Sequence, residues 1–155
     1  MVDFLPKETT VEIHRVPWEE RKMNYQLHDS QIDAVLLEGD RIIFSFPNGF
    51  YAVDDSGQEL KPLPRKLVFT IEKYAPDEPL ESHIFIRRIT GSGNGWRDIS
   101  FQQFTALLHK GNMIIHDEYD SKFTNWKILK LNACTKRPNI ELHITDIAAC
   151  DVFAI

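Results

Sequence analysis

Only two of the 155 residues are cysteine, Cys134 and Cys150, and they lie far apart with no Cys-x-x-Cys spacing. A disulfide framework and a cysteine-based zinc site are both excluded, and the pair reads as reduced thiols. Long apolar runs are lacking too. Stretches such as AVLL and NMII fall far short of a bilayer span. The N-terminal MVDFLPKETT holds an acidic residue and a proline where a secretory signal needs positive charge and then an apolar run, so a cytoplasmic location is expected. Basic residues come in scattered pairs (Arg21-Lys22, Arg65-Lys66, Arg87-Arg88, Lys136-Arg137) and the net charge is −5. That balance speaks against nucleic acid as a partner. There is no Gly-x-Ser-x-Gly elbow, no His-Glu-x-x-His helix and no cysteine beside a histidine partner. Nothing in the pattern asks for a cofactor or a metal.

A chain of this length with 43% hydrophobic and 26% charged residues can bury a core of its own, as a single soluble domain over 1–155. No internal linker or low-complexity segment interrupts it. Residues 1–22 read as an appended edge element, because Met23 opens a stretch that is a self-sufficient start.

The pattern along the chain is mainly that of strands. Residues 27–53, LHDSQIDAVLLEGDRIIFSFPNGFYAV, predict a three-stranded antiparallel meander. Gly39-Asp40 is its first turn, of type II′, and Pro47-Asn48-Gly49 its second. Ile42, Phe44 and Phe46 share one face of the middle strand. Further strands are predicted over 10–16, 66–74, 83–90, 113–118, 126–132 and 140–145. One helix stands out, at about 101–110. Ser100 and Gln103 form a capping box, Phe101, Phe104 and Leu108 make an apolar stripe, and Gly111 sits at the C-cap. The predicted architecture is mainly β (α+β): a large curved antiparallel sheet or open barrel with this one covering helix.

Three groups of residues are candidates for function. The loop Thr90-Gly91-Ser92-Gly93-Asn94-Gly95 precedes a helix but matches neither the dinucleotide fingerprint nor the P-loop, so it reads as a surface loop. Beside it, Arg97 could hold an anion, and Trp96, flanked by Gly95 and Arg97, could anchor a partner. Acidic residues gather in turns, including Asp117, Glu118 and Asp120, and could meet a basic partner, although solvated loops are the plainer explanation. The pairs His28-Asp29 and His116-Asp117 suit a general base or a divalent metal. Neighbours on a strand point to opposite faces, however, so His28 and Asp29 cannot act together unless the chain bends there. For His28-Asp29-Ser30 the structural alternative is that the Asp29 and Ser30 side chains bond nearby amides and shape the turn into the first strand.

Leu27-His28-Asp29-Ser30-x-Ile32, with Leu36, Gly39-Asp40 and Ile42-Ile43-Phe44-Ser45-Phe46, resembles the opening of small bacterial proteins that begin with a Leu-His-Asp-Ser strand and a hairpin. Some of these are classed as immunity proteins of polymorphic toxin systems. The resemblance covers residues 24–53 and implies a non-enzymatic intracellular binding protein. With the acidic balance, it points to a basic partner protein such as a toxin, bound by a monomer or homodimer through Trp96, Arg97, Asp117, Glu118 and Asp120. The alternative is a small-molecule binder or metal-dependent enzyme built on His28, Asp29 and His116.

Overall fold

The computed structural model describes residues 14–17, 25–53, 57–59, 64–89, 95–121, 125–133 and 136–154. Trp18, Asp54, Asp55, residues 90–94 of the glycine loop and Cys134 fall outside these ranges, as does most of the 1–22 element.

The described chain is mainly β with one α-helix. In order it runs β1 (His14–Pro17), β2 (Tyr25–Gln26), β3 (Gln31–Ile32), β4 (Ala34–Glu38), β5 (Arg41–Phe46), β6 (Tyr51–Ala52) and β7 (Arg65–Ile71). A 3-10 turn, Leu80–His83, leads into β8 (Ile84–Ile89), β9 (Trp96–Ile99), α1 (Phe101–Lys110), β10 (Met113–Asp120), β11 (Lys127–Asn132), β12 (Ile140–Ile144) and β13 (Ile147–Ala154). All pairings are antiparallel. A five-stranded sheet has the order β1-β13-β7-β5-β4, a six-stranded sheet the order β3-β10-β11-β12-β8-β9, and β2 and β6 form a short ribbon. The sheets do not close into a barrel. Among the described residues no helix is long and apolar enough to cross a membrane.

The turns follow their residues. Glu38 faces Arg41 across Gly39-Asp40, and Gly39 takes φ 64° while Asp40 stays negative, as a type II′ turn requires. The Gly49 amide bonds Phe46 O at 3.1 Å with Gly49 at φ 72°. This second turn does not return the chain to β5, as a meander would. β6 pairs with β2 instead, and the other neighbour of β5 is β7. At Asp33 the chain changes sheets, so Ile32 is buried in the six-stranded sheet while Val35 is buried in the five-stranded one. It changes again at Thr145-Asp146, between β12 and β13.

One core cluster draws from both sheets: Ile42, Phe44, Phe46, Leu67 and Phe69 from one, Leu129, Leu131, Leu142 and Ile144 from the other. The helix contacts β4 of the first sheet and β8 of the second, with Phe104 and Leu108 in the same core. Its capping box is complete: Gln103 N donates to Ser100 Oγ at 3.0 Å and Ser100 N to Gln103 Oε1 at 2.8 Å. Gly111 is the C-cap but has φ 178°, extended backbone open to any residue, so glycine is not required there.

Candidate functional site

The outer face of the six-stranded sheet carries two rows set by strand register. Asp117, Lys130, Glu141, Arg87 and Asp98 lie opposite one another across β10, β11, β12, β8 and β9, an alternation of negative and positive charge. Beside this row runs a second, Tyr119, Ile128, His143 and Phe85, of which Tyr119 and Phe85 are well exposed. The two rows are joined by a chain of side chains. Arg87 packs over the Trp96 ring at 5.2 Å and donates to Glu141 Oε1 at 2.5 Å. His143 Nε2 lies 2.6 Å from the same oxygen, and Trp126 Nε1 donates to His143 Nδ1 at 3.1 Å. An indole N–H can only donate, so Nδ1 accepts and Nε2 carries the proton given to Glu141. Burial works against the ionised Glu141, but hydrogen bonds from His143 and Arg87 outweigh it and hold the carboxyl below its ordinary range. Two tryptophans, 40% and 39% exposed, are thus held at the ends of one polar chain.

Of the residues expected to bind a partner, Trp96 and Asp117 lie on this face. Arg97 does not share it: the period of two on β9 sends its side chain the other way, opposite Arg88. Glu118 and Asp120 point inward, a correction to their reading as partner-facing acids. Their carboxylates receive the Lys127 ammonium at 2.7 and 2.9 Å, and Glu118 Oε2 also accepts the Leu27 amide at 2.5 Å. Lys127 is fully buried, beneath the Tyr25 ring. The Tyr25 hydroxyl meets Cys150 Sγ at 3.1 Å. Burial pushes the Cys150 thiol up to about 12, which leaves it protonated and unreactive. Trp126 and His143 belong to the outer chain as well. Phe85, Tyr119, Arg87 and Glu141 carried no signal beyond strand alternation.

His28, Asp29 and His116 do converge, because the chain bends at both pairs. Leu27 to Ser30 is a turn, with Ser30 N bonding Leu27 O at 2.9 Å and Asp29 at φ 64°. On β10 the register shifts between Ile115 and Asp117, a bulge at His116 that exposes both members of that pair. The freed His116 carbonyl accepts His28 Nδ1 at 2.5 Å, and the two rings stand 6.2 Å apart edge to face. His28 Nε2 lies 3.2 Å from Asp29 Oδ2. Beside the turn is a cleft of about 400 Å³ lined by Asp29, Gln31, Asn48, Tyr51, Glu59 and Ile114, among others. Among the described residues no group of three His, Cys, Asp or Glu could hold a metal ion.

Asp29 therefore shapes its turn through its backbone: the carboxylate contacts the His28 ring rather than an amide. Left-handed backbone suits glycine and costs other residues roughly 1–2 kcal/mol, aspartate being among the better tolerated. Asp29→Gly is expected to raise unfolding stability by about 0.5–1 kcal/mol and Asp29→Ala to lower it by about 1 kcal/mol. Urea unfolding of the two variants decides it, since a capping role for the carboxylate would make both destabilising.

A further cluster, unseen in the sequence, sits where the chain changes sheets. His83 is buried, its Nδ1 2.7 Å from Asp146 Oδ2 and its Nε2 against Glu78 Oε1. Tyr74 donates to Asp146 Oδ1 at 2.8 Å, and Asp146 itself has φ 58°. Burial works against ionised Asp146, but hydrogen bonds from Tyr74, His83 and Thr145 outweigh it. For Glu78, desolvation is likewise outweighed by bonds from Ser82 and the Tyr74 amide and by the charge of His83. Both carboxyls are held below their ordinary values. Their contribution to stability is complete above the unfolded carboxylate range, about pH 4 to 4.5, and is lost as pH falls through the lower folded-state values. The melting temperature should be flat from neutral pH to about pH 5 on this account and drop below it. Glu78→Gln with Asp146→Asn should blunt that acid drop; an unchanged drop would place its cause elsewhere.

No protein-family model, curated protein or solved structure matches this chain.

Proposed function

We propose that this chain is a non-enzymatic binding protein of the immunity type, which meets a basic protein partner through the outer face of its six-stranded sheet. The observation that carries the reading is the chain Trp96–Arg87–Glu141–His143–Trp126. Exposed indoles fixed in advance by hydrogen bonds lose little freedom on docking, and tryptophan is the residue most enriched at binding hot spots. Within the charged row beside them Arg87 and Glu141 pair with each other, which limits the cost of removing water from those two groups. The net charge of −5 supports a partner of opposite sign.

The test is capture of the partner from the native host by the wild-type protein and by a Trp96→Ala/Trp126→Ala variant. Loss of both anchors should weaken binding by about 100-fold or more while the melting temperature stays within a few degrees. A stoichiometric protein that binds both forms equally, or the absence of any such protein, would sink the proposal.

The meeting of His28 and His116 favours a second reading, a small molecule bound in the cleft beside Asp29. It requires ligand-induced shifts of the His28 and His116 ring resonances that the Trp96→Ala/Trp126→Ala variant retains.

A further inference from the structure

We infer that Arg88 and Arg97 form a phosphate site at the β9 edge of the six-stranded sheet, on the face opposite the docking surface. The register sets the two residues directly across from each other on β8 and β9, with Ile140 of β12 next in the same row. Residues so placed on antiparallel strands have Cβ atoms about 4.5–5.5 Å apart, and like charges there repel. The outer face avoids this by setting acids beside its cations: Arg87 stands between Glu141 and Asp98, and Lys130 between Asp117 and Glu141. The Arg88–Arg97 pair has no such neighbour. Among the described residues neither guanidinium has an ion-pair or hydrogen-bond partner, and Arg88 Nε is buried without one. The strand positions beside them on this face are Ile86, Ile99 and Ile140, and α1, which packs against β8, contains no acid.

Two adjacent forks select a phosphate group over other oxyanions. Each guanidinium is a planar donor that binds two oxygens side by side. A carboxylate has two oxygens and one charge, which a single fork satisfies. A phosphate monoester has three free oxygens and a charge of about −1.5 to −2 at neutral pH, which matches two positive groups. Arg88 gives one pair of donors, Nε and one Nη, and Arg97 takes the remaining oxygen. Because Nε is closed to solvent in the free protein, the Arg88 side chain must turn on its flexible stem to meet the anion. Its Nε–H therefore reports binding directly.

The test is a titration with inorganic phosphate, and with acetate at the same ionic strength, while the arginine Nε–H resonances are followed. Phosphate should shift those of Arg88 and Arg97 saturably and bind about tenfold or more tightly than acetate. Arg88→Gln and Arg97→Gln should each weaken it by about tenfold or more. Arg97 is exposed, so its variant should keep the wild-type melting temperature even where Arg88→Gln does not. No saturable shift, equal binding of acetate, or an Arg97→Gln variant that binds phosphate as tightly as wild type would each overturn the site. Adenosine monophosphate and Nα-acetyl-O-phosphoserine methylamide then identify the source of the phosphate. Tighter binding of the first assigns a free metabolite and of the second a modified protein, and either supports the site. The titration needs no partner and touches neither Trp96 nor Trp126, so the site and the docking face stand or fall separately.

Discussion

Replacing Lys127 with methionine should lower the unfolding free energy by about 3 kcal/mol or more, a large share of what holds a domain of this size. The side chain is fully buried and its ammonium is shared by Glu118 at 2.7 Å and Asp120 at 2.9 Å. Removing it leaves two carboxylates facing each other with little water, their side chains 12% and 13% exposed. That residual exposure places the cost at the lower end of the range for broken buried pairs, about 3–5 kcal/mol. The loss comes from the acids that no longer meet the ammonium and not from the lysine itself. Adding Glu118→Gln and Asp120→Asn to Lys127→Met should therefore restore most of it, since glutamine can still accept the Leu27 amide that Glu118 now binds at 2.5 Å. Urea unfolding of the single and triple variants is the measurement. A triple variant as unstable as the single one would mean that Lys127 matters through packing alone.

This cluster also marks a limit of reading from sequence. On β11, Lys127, Leu129 and Leu131 share the inward face and Ile128 and Lys130 the outward one. Alternation alone places Lys127 inside, whereas its charge argues for outside, and only its partners on β10 decide between them. The register puts Asp120 directly opposite Lys127 and Glu118 two residues further along the same face. Those acids looked like part of a solvated turn because nothing local reports what lies across a strand. The same reason hid β9 and β13: Trp96–Ile99 is too polar to advertise a strand, and Ile147–Ala154 has no clear alternation. What was local was legible. The Gly39-Asp40 turn, the Ile42, Phe44 and Phe46 face and the Ser100–Gln103 capping box all stand as their residues imply.

The histidine pairs lie between these cases. The rule that strand neighbours diverge was sound, and the exception it allowed at His28-Asp29, a bend in the chain, is what the chain provides there and, unforeseen, at His116-Asp117. A left-handed aspartate at one pair and a bulge at the other have no sequence signature of their own, since glycine occupies neither place. The outer chain of Trp96, Arg87, Glu141, His143 and Trp126 was beyond reach for a related reason. Its members lie on four different elements or their flanks, and only the pairing of β8 with both β9 and β12, and of β12 with β11, brings them into line.

Phe104→Ala should be the most damaging change in the helix, lowering stability by about 3–5 kcal/mol. A helix of ten residues is marginal in water by itself, so α1 is held by what it buries. Phe104 is fully buried and Leu108 nearly so, with Phe101 and Leu107 packed at the margin of the same core. Because α1 touches both β4 and β8, its apolar stripe covers core contributed by the two sheets together. A cavity at Phe104 therefore loosens both, and helix and sheet signals in circular dichroism should fall in one transition at lower urea. Loss of the cap is the milder comparison: Ser100→Ala removes the hydroxyl that accepts Gln103 N and should cost about 1 kcal/mol. If Phe104→Ala costs no more than Ser100→Ala, or if the helix signal is lost while the sheets keep their stability, the helix is an accessory to the core rather than a part of it.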